Sequence, residues 1–266
     1  MASTESPHFG RVHALWMSLY SPDIYVDAAR RWTGIGVVYL VLLLSLAWLP
    51  TSIRWFLQLR TYSETTAQTI VKQLPVVTIH EGVMSARPSG RHVIRESESA
   101  TDAILIVDDS IDQLPSDPVE TDTIVLTRRE LGMIRKSGER RIWKLTPAAD
   151  TVIAPADVAA FFTALPFWVP LVGYAGCLAG SLIVRTLQIL VYGWIGLAMT
   201  RRWNVALDYA SLLRIAALAI TPVVVLRTII GPWEPAWYLR WPLAAAITVT
   251  YLAFGIRSVA TETTKT

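Results

Sequence analysis

Apolar and polar positions alternate between two regimes along this chain. Residues 32–50 form one long apolar run entered through Arg30-Arg31, and residues 166–259 are apolar almost throughout. Between them, residues 51–165 mix polar and apolar positions in the manner of an ordinary folded domain. A run near 20 apolar residues is long enough to cross the hydrocarbon of a bilayer as a helix. The pattern predicts a membrane protein of defined plan: an α-helical bundle of about four transmembrane helices, with a small mainly-β extracytoplasmic domain inserted after the first span.

The first span reads as 33–50. It does not resemble a cleaved leader, because the preceding region is long and contains acids, and Ala47-Trp48-Leu49 lacks the small residues a cleavage site needs. Upstream, Ser21-Pro22-Asp23 is a helix start: a capping serine, proline at the first position and an acid at the positive dipole end. The helix that follows, through Tyr25 to Arg31, is expected to lie at the membrane surface. After the span, 52–73 reads as a helix leaving the bilayer. The period then changes. Residues 75–82, 91–95, 103–107, 123–126, 133–135 and 140–145 read as short strands, the last two joined by the hairpin loop Lys136-Ser-Gly-Glu139. Val77, Ile79, Ile104, Ile106 and Trp143 are expected to share its core. Residues 150–165 return to helix.

Residues 166–200 contain a single charge, Arg185. One long tilted crossing and two short helices meeting near Gly180-Ser181 both fit; one crossing agrees better with Arg201-Arg202 marking a cytoplasmic end. The third span covers 208–230, Gly231-Pro-Trp-Glu-Pro235 turns the chain, and 238–256 returns. The plan is therefore a cytoplasmic N-terminal segment with an interfacial helix (1–32), the first span (33–50), an extracytoplasmic domain (51–165, β core about 74–148), spans two to four (166–258) and a cytoplasmic tail (259–266). The location is the cell membrane, multi-pass, with both termini cytoplasmic.

Composition sharpens this picture. The chain is 53% hydrophobic and only 17% charged, with a mean hydropathy of +0.41. Most of its eleven tryptophans stand beside the ends of apolar runs, where indoles favour the headgroup level. The net charge of +3 arises in the membrane half, and no polybasic run of the kind that reads nucleic acid is present. The single cysteine, Cys177, excludes an intramolecular disulfide.

Few residues carry candidate chemistry. Gly176-Cys-Leu-Ala-Gly180 is a GxxxG motif, read as close helix packing within the bundle, with homodimerisation the alternative. Thr221-Pro222 sits mid-span, where proline breaks the ladder and threonine can serve a freed carbonyl. Arg185 and Arg214 lie in apolar sequence, Arg214 close enough to Asp208 to snorkel. Asp108, Asp109 and Asp112, with Asp117, Glu120 and Asp122, form an acidic cluster; it lacks the glycine and spacing of a calcium loop and reads as a solvated turn. No zinc-protease, nucleotide-binding or hydrolase signature is present, so no catalytic residue, metal or cofactor is assigned.

Three segments together are similar to one bacterial membrane family. They are 9–27 with Ser18-Leu-Tyr20 and Ile24-Tyr25, 74–83 followed by the strands at 104–108 and 124–127, and 207–215 leading to Leu218-Ala-Ile-Thr-Pro222. The family is "domain of unknown function eleven eighty-nine", some members of which carry a maltodextrin-utilisation label; Yip-type membrane proteins of vesicle trafficking are more distantly similar. The resemblance implies the same four-span plan, no established activity, and a motif at Tyr209, Leu213, Thr221 and Pro222. The expected function is non-enzymatic: partner binding, scaffolding or envelope sensing through the outer β-domain. The partners are the lipid bilayer and a membrane protein or a second copy, not nucleic acid. An accessory subunit or small-solute carrier, sugars included, is the alternative, and a membrane enzyme comes third.

Overall fold

The computed structural model describes residues 8–97, 100, 102–115, 121–146, 150–230 and 237–263. The chain divides into two compact units, residues 1–53 with 171–266, and residues 54–170.

The first unit is a helical bundle. It contains α1 (Ala14–Met17), α2 (Pro22–Arg31), the start of α3 (Val37–Glu64), most of α5 (Pro155–Trp203), α6 (Tyr209–Ala219), α7 (Thr221–Ile230) and α8 (Trp237–Thr263). Four stretches are long and apolar enough to cross a membrane: Val37–Gln73, Pro155–Trp203, Tyr209–Ile229 and Trp241–Glu262. The protein is thus a multi-pass membrane protein.

Its centre is built from α2, α6 and α8. Helix α2 has proline at its first position and Asp23 in its first turn, and its apolar stripe is covered by protein. Ile24, Tyr25, Ala28 and Ala29 are buried against the spans, because a short amphipathic helix hides its apolar stripe equally well in protein as in lipid. Close approach explains two glycines. Gly36, at φ 83°, opens α3 where a Cβ would meet Ala217 Cβ at 2.9 Å, and a Cβ on Gly255 of α8 would sit 2.5 Å from the Tyr25 ring. Gly34 and Gly36 both take positive φ, so α3 starts later than the expected span.

Residues 155–203 form one unbroken helix. At about 1.5 Å per residue it is roughly 73 Å long, well over the hydrocarbon thickness of about 30 Å. A single helix crosses once. The third span instead breaks at Ile220, between α6 and α7, where Pro222 supplies no N–H to the ladder.

The second unit holds the end of α3, α4 (Thr66–Gln73), eight strands and the start of α5. The strands are β1 (Val76–His80), β2 (Val83–Arg87), β3 (Arg91–Arg95), β4 (Ala103–Asp108), β5 (Thr123–Thr127), β6 (Glu130–Ile134), β7 (Arg140–Lys144) and β8 (Thr151–Ile153). One sheet has the order β2-β1-β8 and the other β3-β4-β5-β6-β7. Strands β1 and β2 meet through Glu81-Gly82, both at positive φ, the two-residue turn that matches strand twist. Strands β4 and β5 run parallel, which requires a crossover. The described part of that crossover lies on the sheet: a Cβ on Gly132 would fall 1.9 Å from Leu114, and Arg128 N–H donates to Ile111 O at 2.9 Å.

This crossover corrects the expected core. Val77, Met84, Ala86, Ile94 and Val107 form one cluster, with Ile79, Leu105 and Leu126 packed on it. Ile104 and Ile106 have the opposite strand parity to Leu105 and Val107, and so belong to the crossover side. Trp143 is half exposed on edge strand β7. Strand β8 also replaces the first residues of the expected helix at 150–165. The turn at 231–235, with Trp233 and Glu234, lies outside the described residues, as do Asp117 and Glu120.

Candidate functional site

Polar groups inside an apolar bundle are where function is sought first, because each must find a partner or stay costly. Here most of them serve one purpose. The helices α1 and α2 end with carbonyls that have no partner in their own helix. Side chains from α2 and the membrane spans take these carbonyls. Tyr25 OH donates to Ser18 O at 2.7 Å and Tyr251 OH to Leu19 O at 3.1 Å. Ser211 Oγ donates to Ala29 O at 2.7 Å, and Arg214 Nη1 donates to Trp32 O. The Tyr25 phenol is pushed up strongly by burial and stays a neutral donor. Asp27, 3% exposed, accepts from the backbone N–H groups of His8 and Phe9 at 3.0 and 3.3 Å and from Arg31 at 3.3 Å. The N-terminal segment is thereby held at both ends.

Arg214 brings a cation from the third span to this arrangement. Its Nε donates to Ala210 O at 3.1 Å and Nη2 to Ser211 Oγ at 3.2 Å. It caps α2, where a positive charge suits the negative end of the helix dipole. Asp208 caps α6 instead, accepting from Ser211 N at 3.3 Å. Tyr209 OH donates to Leu190 O at 3.2 Å, and its ring lies close to Gly193.

Thr221 is fully buried, and its hydroxyl meets Tyr39 OH at 2.6 Å. It therefore bonds a side chain from α3 rather than a carbonyl freed by Pro222. Tyr39, Tyr25, Tyr251 and Ser211 were not selected from sequence. The available signal was hydroxyl groups placed inside, not at the ends of, apolar stretches. The indole N–H of Trp32 is buried without a partner among the described residues.

Elsewhere the expected residues stand apart from this network. Beyond its own turn of helix, a Cβ on Gly176 or Gly180 would meet nothing within 4 Å, whereas one on Gly193, Gly196 or Gly255 would meet side chains of neighbouring helices. Arg185 is half-buried, with Nη1 donating to Gln188 Oε1 at 2.7 Å. In the second unit, Asp108 accepts from Ser110 N at 3.0 Å, and Asp109 accepts from Ala86 N and Gly90 N at 3.1 and 2.7 Å. Asp112 gives its carbonyl to Thr127 Oγ1 at 3.2 Å. The cluster is turn scaffolding, and among the described residues no group of His, Cys, Asp or Glu could hold a metal ion.

The exposed apolar groups of the β region concentrate at strand edges. Among the described residues the strand that pairs with β7 is β6, and Ile142 and Trp143 of β7 are about half exposed. Arg141 and Arg135 flank it and hold the Glu139 carboxyl below its ordinary range, Arg141 through the larger contribution.

Residues 12–256 match the model of a family described as a protein of unknown function, DUF1189. The chain belongs to the DUF1189 family. The match runs from just before α1 into the last turns of α8, so DUF1189 spans both the bundle and the inserted β region. No curated protein and no solved structure matches the chain.

Proposed function

We propose that this DUF1189 protein is a non-enzymatic membrane scaffold that binds an extended partner segment along β7. The observation that carries the reading is the edge of the five-stranded sheet, where Ile142 and Trp143 of β7 are exposed and no second strand pairs with β7 among the described residues. An unpaired strand edge is a template for strand addition, and here it carries exposed Ile142 and Trp143 beside basic side chains. An acidic, extended segment of an envelope protein fits that surface. A photo-crosslinking phenylalanine at position 143 in native membranes is expected to yield a discrete adduct, reduced by Ile142→Pro. An adduct pattern equal to that from position 137 at the hairpin tip would overturn the reading.

The same proposal places the β region outside and both termini in the cytoplasm. Arg201, Arg202 and Arg257 stand at one end of the spans, the arginine bias that sets orientation. In a Cys177→Ser background, an impermeant thiol reagent is expected to label residue 137 in intact cells and residue 263 only after lysis; the reverse would invert the topology.

The second reading is a carrier of small solutes, sugars included, in line with the maltodextrin-utilisation label on some family members. It needs free polar groups along a path. Thr221, Tyr39, Ser211 and Arg214 are all engaged with other parts of the chain, which favours the scaffold. A relation to Yip-type trafficking proteins has no support beyond the spans themselves. Flux across proteoliposomes above the empty-liposome level would revive the carrier.

A further inference from the structure

Within the second unit, the end of α3, α4 and the start of α5 line a groove of about 630 Å³. That volume falls in the range of small-molecule sites, which are mostly apolar with a few placed polar groups. Phe56, Ala67, Val71, Ala159, Phe162 and Phe167 supply the apolar lining, and Ala67 is fully buried in it. Tyr62 of α3 meets Phe162 of α5 with ring centroids 6.2 Å apart, which sets the two helices side by side. One end of the groove belongs to the apolar runs: Phe56 follows the first, and Pro166 and Phe167 open the second. The other end carries Lys72, in the last turn of α4.

Phe56 stands 19 residues into α3, about 28 Å of helix rise, against a hydrocarbon thickness of about 30 Å. The groove therefore begins where α3 leaves the hydrocarbon and continues beyond it, where apolar walls left to water are costly. Leu57, Phe167 and Trp168 at that end are exposed apolar side chains, the last two packed edge to face at 5.3 Å. The rim is thus continuous with a surface suited to acyl chains, and a chain can enter sideways without crossing water. The charged groups of the lining are Arg60, Glu64 and Lys72. Arg60 Nε donates to Glu64 Oε1 at 2.8 Å, so the lining keeps one cation in excess, at the Lys72 end. A basic group beside a membrane surface attracts anionic headgroups.

We propose that this groove holds an acyl chain of an anionic phospholipid drawn from the adjoining leaflet, with the phosphate beside Lys72. The chain replaces water against Phe56, Phe162 and Phe167, and the phosphate meets the uncompensated cation. A protein segment fits less well, because its backbone N–H and C=O groups would each need a partner, and the lining is mainly apolar; an acyl chain has none to satisfy. The groove does not include β7, so either site can fail without the other.

The test uses the full-length protein in phosphatidylcholine nanodiscs doped with phosphatidylglycerol that carries a photoactivatable diazirine in one acyl chain. Adducts are expected on the groove residues of 56–71 and 159–167. Exposed Leu187 of α5 should be labelled by bulk lipid and serves as the internal standard. Ala159→Trp and Thr163→Trp fill the groove from two positions and should each lower its adducts, relative to Leu187, by about tenfold, equivalent to roughly 1.4 kcal/mol. Amide exchange in the β strands should match the parent in both variants, which separates a filled groove from a misfolded one. Lys72→Glu should lower the groove adducts, Lys72→Arg should keep them, and a phosphatidylcholine probe should label the groove less than phosphatidylglycerol does. A parent without groove adducts, adducts at the parent level in both folded tryptophan variants, or labelling indifferent to Lys72→Glu and to the headgroup would overturn the proposal.

Discussion

The second and third membrane helices are similarly apolar, yet they are solvated by different media. Only 6% of the most apolar window of Pro155–Trp203 is buried within the protein, against 67% of that of Tyr209–Ile229. Eight of the eleven residues of α6 are buried. Hydropathy measures the aversion of a segment to water; it does not say whether lipid or protein replaces the water. In lipid, packing and hydrogen bonding hold helices together, since the apolar driving force is already satisfied by acyl chains. Small residues and internal hydroxyls therefore separate the two helices: Ala216, Ala217, Ser211 and Ala219 on α6 against Phe167, Trp168 and Trp194, all exposed, on α5.

The comparison breaks most sharply at glycines. In Gly255→Leu the new side chain runs into Tyr25 and Ile215, with an expected loss of about 3 kcal/mol in thermal unfolding. Gly180→Leu adds volume into open space and should change stability by under about 0.5 kcal/mol. A large loss from Gly180→Leu would mean that a second copy covers that face of α5.

A smaller effect is expected where the buried span holds the N-terminal segment. Arg214→Gln removes the cation at the end of α2 and should cost about 2 kcal/mol. Amide exchange over 22–31 should rise, with exchange in the β strands unchanged.

The smallest concerns the pair that joins α3 to α7. Tyr39→Phe and Thr221→Val should each cost about 1 kcal/mol. The double variant should lose little more than Tyr39→Phe alone, because that change removes the shared hydrogen bond together with the longer Tyr39 OH contact to Ala14 O at 3.5 Å. Full additivity would show that each hydroxyl has another role.

The four spans and the presence of a β insert were legible because both depend on local period. The helix break beside Pro222 and the Lys136–Glu139 hairpin followed from single-residue backbone rules. The side of β4 facing the main core was not legible. Ile104 and Ile106 are as apolar as Leu105 and Val107, and the sheet is covered on both faces, so alternation carries no sign. What covers helix α2 was not legible for a related reason: its stripe of Ile24, Tyr25 and Ala28 fits headgroups and protein alike. The role of Arg214 was hidden because its acceptor, Trp32 O, is a backbone atom 182 residues away, and carbonyls leave no mark in a sequence.

That separation sets an order of events during synthesis. Leu19 is made 232 residues before Tyr251, which binds its carbonyl. At roughly 5–20 residues per second, the ribosome needs about 10–45 s to bridge the interval. For that time Leu19 O lacks its Tyr251 partner, and only side chains made earlier, such as Tyr25 and Asp27, hold the segment. Residues 14–31 are thus fully seated only once α8 has been made, and a nascent protein lacking α8 would show this segment to proteases.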